Sequence, residues 1–283
     1  MSLDFDSARL PNPHLTAEHE EWRTQIRRFF DREVIPFAGD WDEAGRIPDE
    51  LWPKSAAIGI LGLGYPEQYG GVEEGIDIWY KNILNEEMAR IAVGGVSATL
   101  MVHGIALPPL INYASEAIKQ EIVPPVLAGL KRISLAITEP AAGSDVAQLQ
   151  TTARLEGDHY VVNGSKTYIT GGMNANWYTT AVRTGGEGSG GVSALLIPAD
   201  LPGVSRTALN RKQGWWCSDT ATIYFDDVRV PKENLVGDEN RGFRVIMTNF
   251  NAERLAMSAA MEAYSRVCLE DACLLYTSDA ADE

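Results

Sequence analysis

The chain has 283 residues, 45% hydrophobic and 22% charged, which fits a soluble globular protein with a sizeable core and about two domains. Lys and Arg number 24 against 39 Asp and Glu, a net charge of −15. That field repels a phosphate backbone and argues against a nucleic-acid partner, while leaving room for a phosphorylated small molecule at a local site. Three scattered cysteines, Cys217, Cys268 and Cys273, give no disulfide framework and point to a reducing compartment. With His14, His19, His103 and His159 they make no zinc-like spacing, so no metal site is expected.

The N-terminus lacks the apolar core of a signal peptide, and Asp4, Asp6, Glu18, Glu20 and Glu21 make it too acidic for a transit peptide. The expected location is cytoplasmic. Trp22, Ile26, Phe29 or Phe30, and Val34 form a helical stripe within Glu18 to Phe37, with Pro36 near its end. A short helix is expected from Pro48 to Gly59, then a glycine-rich turn. A further helix spans about Ile76 to Ile91, with Trp79, Ile83, Leu84 and Met88 on one side. Ile91 to Ser115 carries no Asp, Glu, Lys or Arg, but glycines, prolines and polar residues interrupt it. It reads as a buried helix and a turn rather than a membrane span, which needs ~20 predominantly apolar residues. His103 there is expected to be a satisfied core histidine. Glu116 to Leu130 reads as a helix broken or kinked at Pro124-Pro125.

At about Lys131 the pattern changes. Ile133 to Thr138 suits a strand, and Thr151 to Glu156 with Tyr160 to Asn163 reads as a hairpin around Gly157-Asp158-His159. Further strands are expected at Lys166 to Thr170, Trp177 to Arg183, Val192 to Ile197 and Thr222 to Phe225. Gly185 to Gly191 makes a hairpin tip. From about Gly242 the helical period returns through Phe243, Ile246, Phe250, Met257, Met261, Tyr264 and Cys268.

Several chemistries lose their support. There is no G-x-G-x-x-G, no P-loop and no G-x-S-x-G elbow, which disfavours a Rossmann site, nucleotide hydrolysis and a serine esterase. The informative string is Ala136 to Asp145, AITEPAAGSD. A strand end runs into small residues that let backbone amides approach a ligand, and Ser144 adds a donor, chemistry suited to a pyrophosphate. A tight turn at a domain boundary explains the same composition.

This string resembles the signature of the acyl-CoA dehydrogenase family of flavoproteins. Three other stretches resemble family segments in the same order: Tyr65 to Gly71, NGSKTYITGGMNANWYTTAVRT, and Phe225 to Phe243. The resemblance covers nearly all of residues 15 to 272. One departure is Gln148, where a small residue is usual. It implies an α+β multidomain fold: an N-terminal helical domain over 1–130, a central β-barrel or sandwich domain over 131–238, and over 239–272 the first helix of a C-terminal helical bundle.

The resemblance also implies FAD as cofactor. Thr138 would hydrogen-bond the isoalloxazine near N5, the backbone from Leu135 to Ile137 would face its polar edge, and Ser144 would sit near the pyrophosphate. Tyr168, where relatives often carry Trp, and Thr170 would flank the ring. The implied reaction is α,β-dehydrogenation of an acyl-CoA, with electrons passed to an electron-transfer flavoprotein by a homotetramer.

The base must be a carboxylate, and Glu253 falls on the apolar stripe between Phe250 and Met257. A structural ion pair is the plain alternative. Asn251-Ala-Glu253-Arg254-Leu resembles the minority of relatives that place the base on this helix. Asn251 and Arg254 would contact the CoA or fix the base; most relatives use a glutamate further on. A flavin oxidase or monooxygenase of the same fold, or a non-catalytic acyl-CoA-binding relative, are the competing readings.

Cys273 to Glu283, CLLYTSDAADE, resembles translated sequencing adapter. The expectation is that the helical pattern stops there, that natural sequence ends at Ala272, and that Asp279, Asp282 and Glu283 do not belong to the natural charge. A chain ending there would expose the apolar face of its last helix and bind FAD weakly, since part of the family's FAD site comes from a neighbouring subunit's bundle.

Overall fold

A computed structural model describes residues 10–276. Eight helices come first: α1 (Ala17–Glu33), α2 (Ala38–Glu43), α3 (Leu51–Ala57), α4 (Ile78–Ala89), α5 (Gly94–Leu100), α6 (His103–Ala106), α7 (Pro108–Tyr113) and α8 (Glu116–Leu127). The α1 stripe is buried as its spacing requires, with Ile26 and Phe30 at 0% exposure. They pack with Leu51, Trp52, Ile83, Met88 and Leu100 into one core. Full burial of each such side chain is worth roughly 1.5–3 kcal/mol. Asp77 caps α4 by accepting from the Trp79 amide at 2.8 Å.

The uncharged segment after α4 is three short helices rather than one. Glycines open α5, and Pro108 starts α7 at a position where its missing amide costs nothing. Among the described residues no single helix is long and apolar enough to cross a membrane; α5 and the α6–α7 stretch pass that test only as a pair bent by 46°. His103 is buried and its Nε2 lies 3.0 Å from the Leu61 carbonyl. Burial pushes its pKa down to about 4, which keeps the ring neutral.

The sequence allowed a break or a kink at Pro124-Pro125; α8 runs through both without a break. Each proline forgoes the bond to the carbonyl four residues back, and buried Val123, Val126 and Leu127 hold the segment down.

Seven strands follow: β1 (Ile133–Ala136), β2 (Thr152–Glu156), β3 (His159–Thr170), β4 (Trp177–Arg183), β5 (Val192–Pro198), β6 (Val204–Ala208) and β7 (Thr220–Pro231). They form one curled sheet in the order β1-β4-β2-β3-β7-β6, with β5 on β4. β1 runs parallel to β4 with Leu135 beside Thr179, and the β2–β3, β3–β7, β4–β5 and β6–β7 pairs are antiparallel. The expected strands Tyr160 to Asn163 and Lys166 to Thr170 are one continuous β3. Strand β6 carries no buried face, its residues alternating between half-buried and exposed, and it gave no sequence signal.

The last described element is α9 (Gly242–Tyr276). Its first turns lie on the sheet through Val245 and Ile246, and it also packs along α4. The expected stop at Cys273 is not observed, since the helix includes Cys273 to Tyr276. The remainder of that tail, 277–283, lies outside the described residues. Met257 and Met261 of the apolar stripe are more than half exposed, whereas Ile246 is buried and Phe250 and Tyr264 half-buried, so the stripe is uncovered only along part of α9.

Candidate functional site

The first segment of the site begins where β1 ends. Glu139 and Ala142 exchange backbone hydrogen bonds of 2.9 and 3.1 Å, closing a tight turn with Pro140 in its second position. Ala142 is buried, whereas Gly143, Ser144 and Asp145 are exposed. Asp145 accepts from the Ala147 amide at 3.1 Å and sets the start of the next turn. A Cβ on Gly143 would meet nothing within 4 Å, so the loop faces open space.

The second segment is a bulge in β3. Lys166 pairs with Ile223 and Ile169 with Ala221, so Thr167 and Tyr168 together face Thr222. The extra residue forces Tyr168 into the left-handed region, φ 58°, with its side chain 65% exposed. For a non-glycine residue this costs roughly 1–2 kcal/mol, and it persists because its neighbours are fixed. Ile169 is buried, and the Thr167 hydroxyl lies 3.1 Å from that of Thr222.

The two segments are joined. The Thr167 amide donates to the Thr138 carbonyl at 2.8 Å. Next to it, the fully buried ammonium of Lys166 donates to Glu139 Oε1 at 2.6 Å and to the Ile137 carbonyl at 3.0 Å. Glu139 is spent on the same junction, taking the Thr151 amide at 2.9 Å and the Gln150 amide at 2.5 Å. Burial pushes Lys166 down to about 8, against the pull of Glu139. Burial raises Glu139, but the Lys166 charge and hydrogen bonds win and hold it below the usual carboxylate range.

Arg183, at the end of β4, knits the neighbouring loops. It donates to the carbonyls of Leu149 at 2.9 Å, Ala147 at 2.7 Å and Gly188 at 3.2 Å, and also reaches Gly186. The 185–191 tip is therefore pinned to the turn that follows Ser144.

Thus Ile137 and Thr138, just past β1, are bonded to Lys166 and Thr167 of β3, next to Tyr168, while Leu135 lies alongside Thr179 of β4 and Thr170 pairs with Thr220 of β7. The hydroxyls of Thr138 and Thr170 take part in no hydrogen bond among the described residues. Ser144 lies beyond the turn, in solvent. On α9, Phe243, Ile246, Met247 and Phe250 pack against the cluster of Ile137, Leu149 and half-buried Leu135 and Val146. Glu253 is one turn past Phe250, about 10 Å along the axis from Ile246. It is half-buried rather than buried, because Met257 and its neighbours have no covering element among the described residues. Asn251 and Arg254 are exposed and bonded to each other at 3.1 Å.

Glu139, Lys166 and Arg183 were not singled out by sequence, since a charged letter carries no burial signal. The one clue was parity: Lys166 is in phase with buried Tyr160 and Val162 along β3. A cleft of about 510 Å³ between the Trp41–Trp52 segment and Gly171–Asn174 holds none of the predicted site residues. No group of three metal-ligating side chains occurs among the described residues.

An exposed aromatic residue, hydroxyls without a partner among the described residues and a strand-end peptide edge are groups that suit a planar heteroaromatic with polar atoms along one side. An N-terminal helical region, a curled sheet and a following helix frame that surface, an arrangement that defines a class of flavoenzyme folds. Residues 16–130 match the model of the acyl-CoA dehydrogenase N-terminal domain, and residues 134–228 that of its middle domain. The chain belongs to the acyl-CoA dehydrogenase family.

A crystal structure from Mycobacterium smegmatis, described as an acyl-CoA dehydrogenase, is 46% identical with a TM-score of 0.87, over 90% of this chain and 67% of that one. The acyl-CoA dehydrogenase of Emericella nidulans encoded by apdG is 36% identical over 93% of this chain. The chain spans 64% of that relative's length. A Bacillus anthracis acyl-CoA dehydrogenase complexed with FAD is 29% identical with a TM-score of 0.81, over 93% of this chain and 45% of that one.

Proposed function

We propose that this chain is part of an FAD-dependent dehydrogenase that converts an acyl-CoA thioester to the trans-2-enoyl-CoA. The observation that carries the reading is the joined pair of segments. They bring Thr138, just past β1, against Thr167 next to the exposed Tyr168, with Thr170 two residues further along β3, and the hydroxyls of Thr138 and Thr170 have no partner among the described residues. That donor set fits a flavin, and so do the open loop at Gly143 and Ser144 for its pyrophosphate and the backbone from Leu135 to Ile137 for its polar edge. FAD, when bound, supplies a hydride acceptor for the β-carbon.

The chain's own residues do the rest. Glu253 removes the α-proton, on a helix whose first turns are anchored over Ile137 and Leu135. Asn251 and Arg254, bonded to each other one turn around it, fix the base or meet the CoA. Thr138 and Thr170 orient the ring, and Tyr168 packs against it. An electron-transfer flavoprotein as acceptor and a homotetrameric assembly complete the proposal. They rest on the family resemblance.

The test is anaerobic mixing of the FAD-loaded protein with acyl-CoAs of graded chain length. Bleaching of the flavin band is expected with at least one of them, followed by slow reoxidation in air. Glu253→Gln should retain yellow flavin and lose the bleaching. Near-normal bleaching in that variant would remove Glu253 from the mechanism, and rapid reoxidation in air would indicate an oxidase.

A further inference from the structure

Lys166 is fully buried beside Glu139, inside the sheet and behind the proposed flavin surface. Exchanging a buried ion pair for apolar residues is often neutral or stabilising, so stability alone gives little reason for it. Its second hydrogen bond supplies one. The Ile137 carbonyl that takes the ammonium belongs to the same peptide unit as the Thr138 N–H. A cation on the carbonyl draws electron density along the amide and makes that N–H a stronger donor. The low local dielectric of a fully buried site enlarges the effect.

We infer that Lys166 is a positioning residue that acts through the Ile137–Thr138 peptide to strengthen the Thr138 amide as a donor to the bound flavin, favouring the electron-rich reduced ring over the oxidised one. This rests on the flavin reading above. Glu139 holds the ammonium in place while its carboxylate is engaged by the Thr151 and Gln150 amides. The charged groups facing Lys166 are Glu139, from the turn after β1, and Arg183, from β4. Burial brings the lysine down to about 8, so its charge titrates around that pH.

The experiment is calorimetric titration of the 283-residue chain with FAD, oxidised in air and dithionite-reduced under argon. The ratio of the two dissociation constants reports the shift in flavin potential. Lys166→Met should lower the preference for reduced FAD about tenfold, equivalent to ~30 mV for a two-electron couple. Lys166→Arg should keep the preference and hold it flat from pH 7 to 9, where the wild-type preference falls as the lysine deprotonates. A ratio unchanged in a folded Lys166→Met chain that still binds both forms overturns this inference alone. If the Met variant does not fold, the Arg variant decides: a fall with pH matching the wild type overturns it. A wild-type chain that binds neither form of FAD overturns the flavin reading, and this inference with it.

Discussion

The Thr167 amide and the Thr138 carbonyl meet at 2.8 Å, and through that bond the end of β1 is fastened to the bulge of β3. Thr167 is the first of the two residues that face Thr222, and Tyr168 is the second. The backbone of Tyr168 and the strand end are thus set relative to each other by backbone bonds.

The bulge carries a cost that can be relieved. Tyr168→Gly removes the left-handed strain, and after the extra chain entropy of glycine the fold should be unchanged or up to about 1 kcal/mol more stable. The same change deletes the exposed ring, so FAD affinity should fall about tenfold, in line with ~1.5 kcal/mol for an aromatic pair. Thermal melts and a FAD titration on the same variant check both halves. A variant that binds FAD as the wild type does would dissociate Tyr168 from the site.

Arg183 should matter to two loops at once. Its guanidinium is spent on the carbonyls of Ala147, Leu149, Gly186 and Gly188. Arg183→Gln should cost about 2–3 kcal/mol, since bonds to charged donors are worth ~1.5–3 kcal/mol each and only some are replaced. Hydrogen exchange read by mass spectrometry should accelerate together in 146–150 and 184–191. Acceleration in only one of them would show that the arginine does not couple the loops.

Away from the site, Glu87 on α4 is fully buried among arginines. Arg27 binds it at 2.8 Å, and Arg23 and Arg90 each at 3.2 Å. Burial raises its pKa, but the Arg27 hydrogen bond and the arginine charges outweigh that, leaving it lowered from 4.5. Its stabilisation is therefore complete above pH 4.5 and is lost as pH falls through the lowered folded-state value. Glu87→Gln should cost about 3 kcal/mol at neutral pH, as expected for removing one member of a buried ionic cluster. It should also flatten the acid limb of the stability profile. Parallel acid limbs in the two proteins would show that Glu87 does not carry the effect.

Much of the architecture was legible because it rests on periodicity. The α1 stripe, strand β4 and the return to helix at Gly242 follow from which residues repeat at 3.6 or 2. Elements that rest on other physics were not. Strand β6 buries no face, so it left no alternation to read. Pro124-Pro125 looked like a break or a kink, but the helix continues to Leu127, and buried Val123, Val126 and Leu127 overrode the local preference for a break. At the site, Thr138, Ser144 and Tyr168 were visible only through resemblance, since small polar residues in a loop are also what an ordinary turn contains. Apart from the parity of Lys166 along β3, Glu139 and Lys166 left no signal for the opposite reason: their importance lies in a contact between positions 27 residues apart, which one sequence cannot display.

The claim that the β1–β3 junction holds a flavin is tested most directly by titrating FAD into the 283-residue chain and following quenching of flavin fluorescence. The comparison is a Thr138→Val, Thr170→Val double variant, which keeps shape and removes both unpartnered hydroxyls. Weak but saturable binding by the wild type, weakened at least a further tenfold in a double variant with an unchanged melting profile, is the predicted result. Equal affinities in the two proteins, or no saturable binding by the wild type, would contradict it.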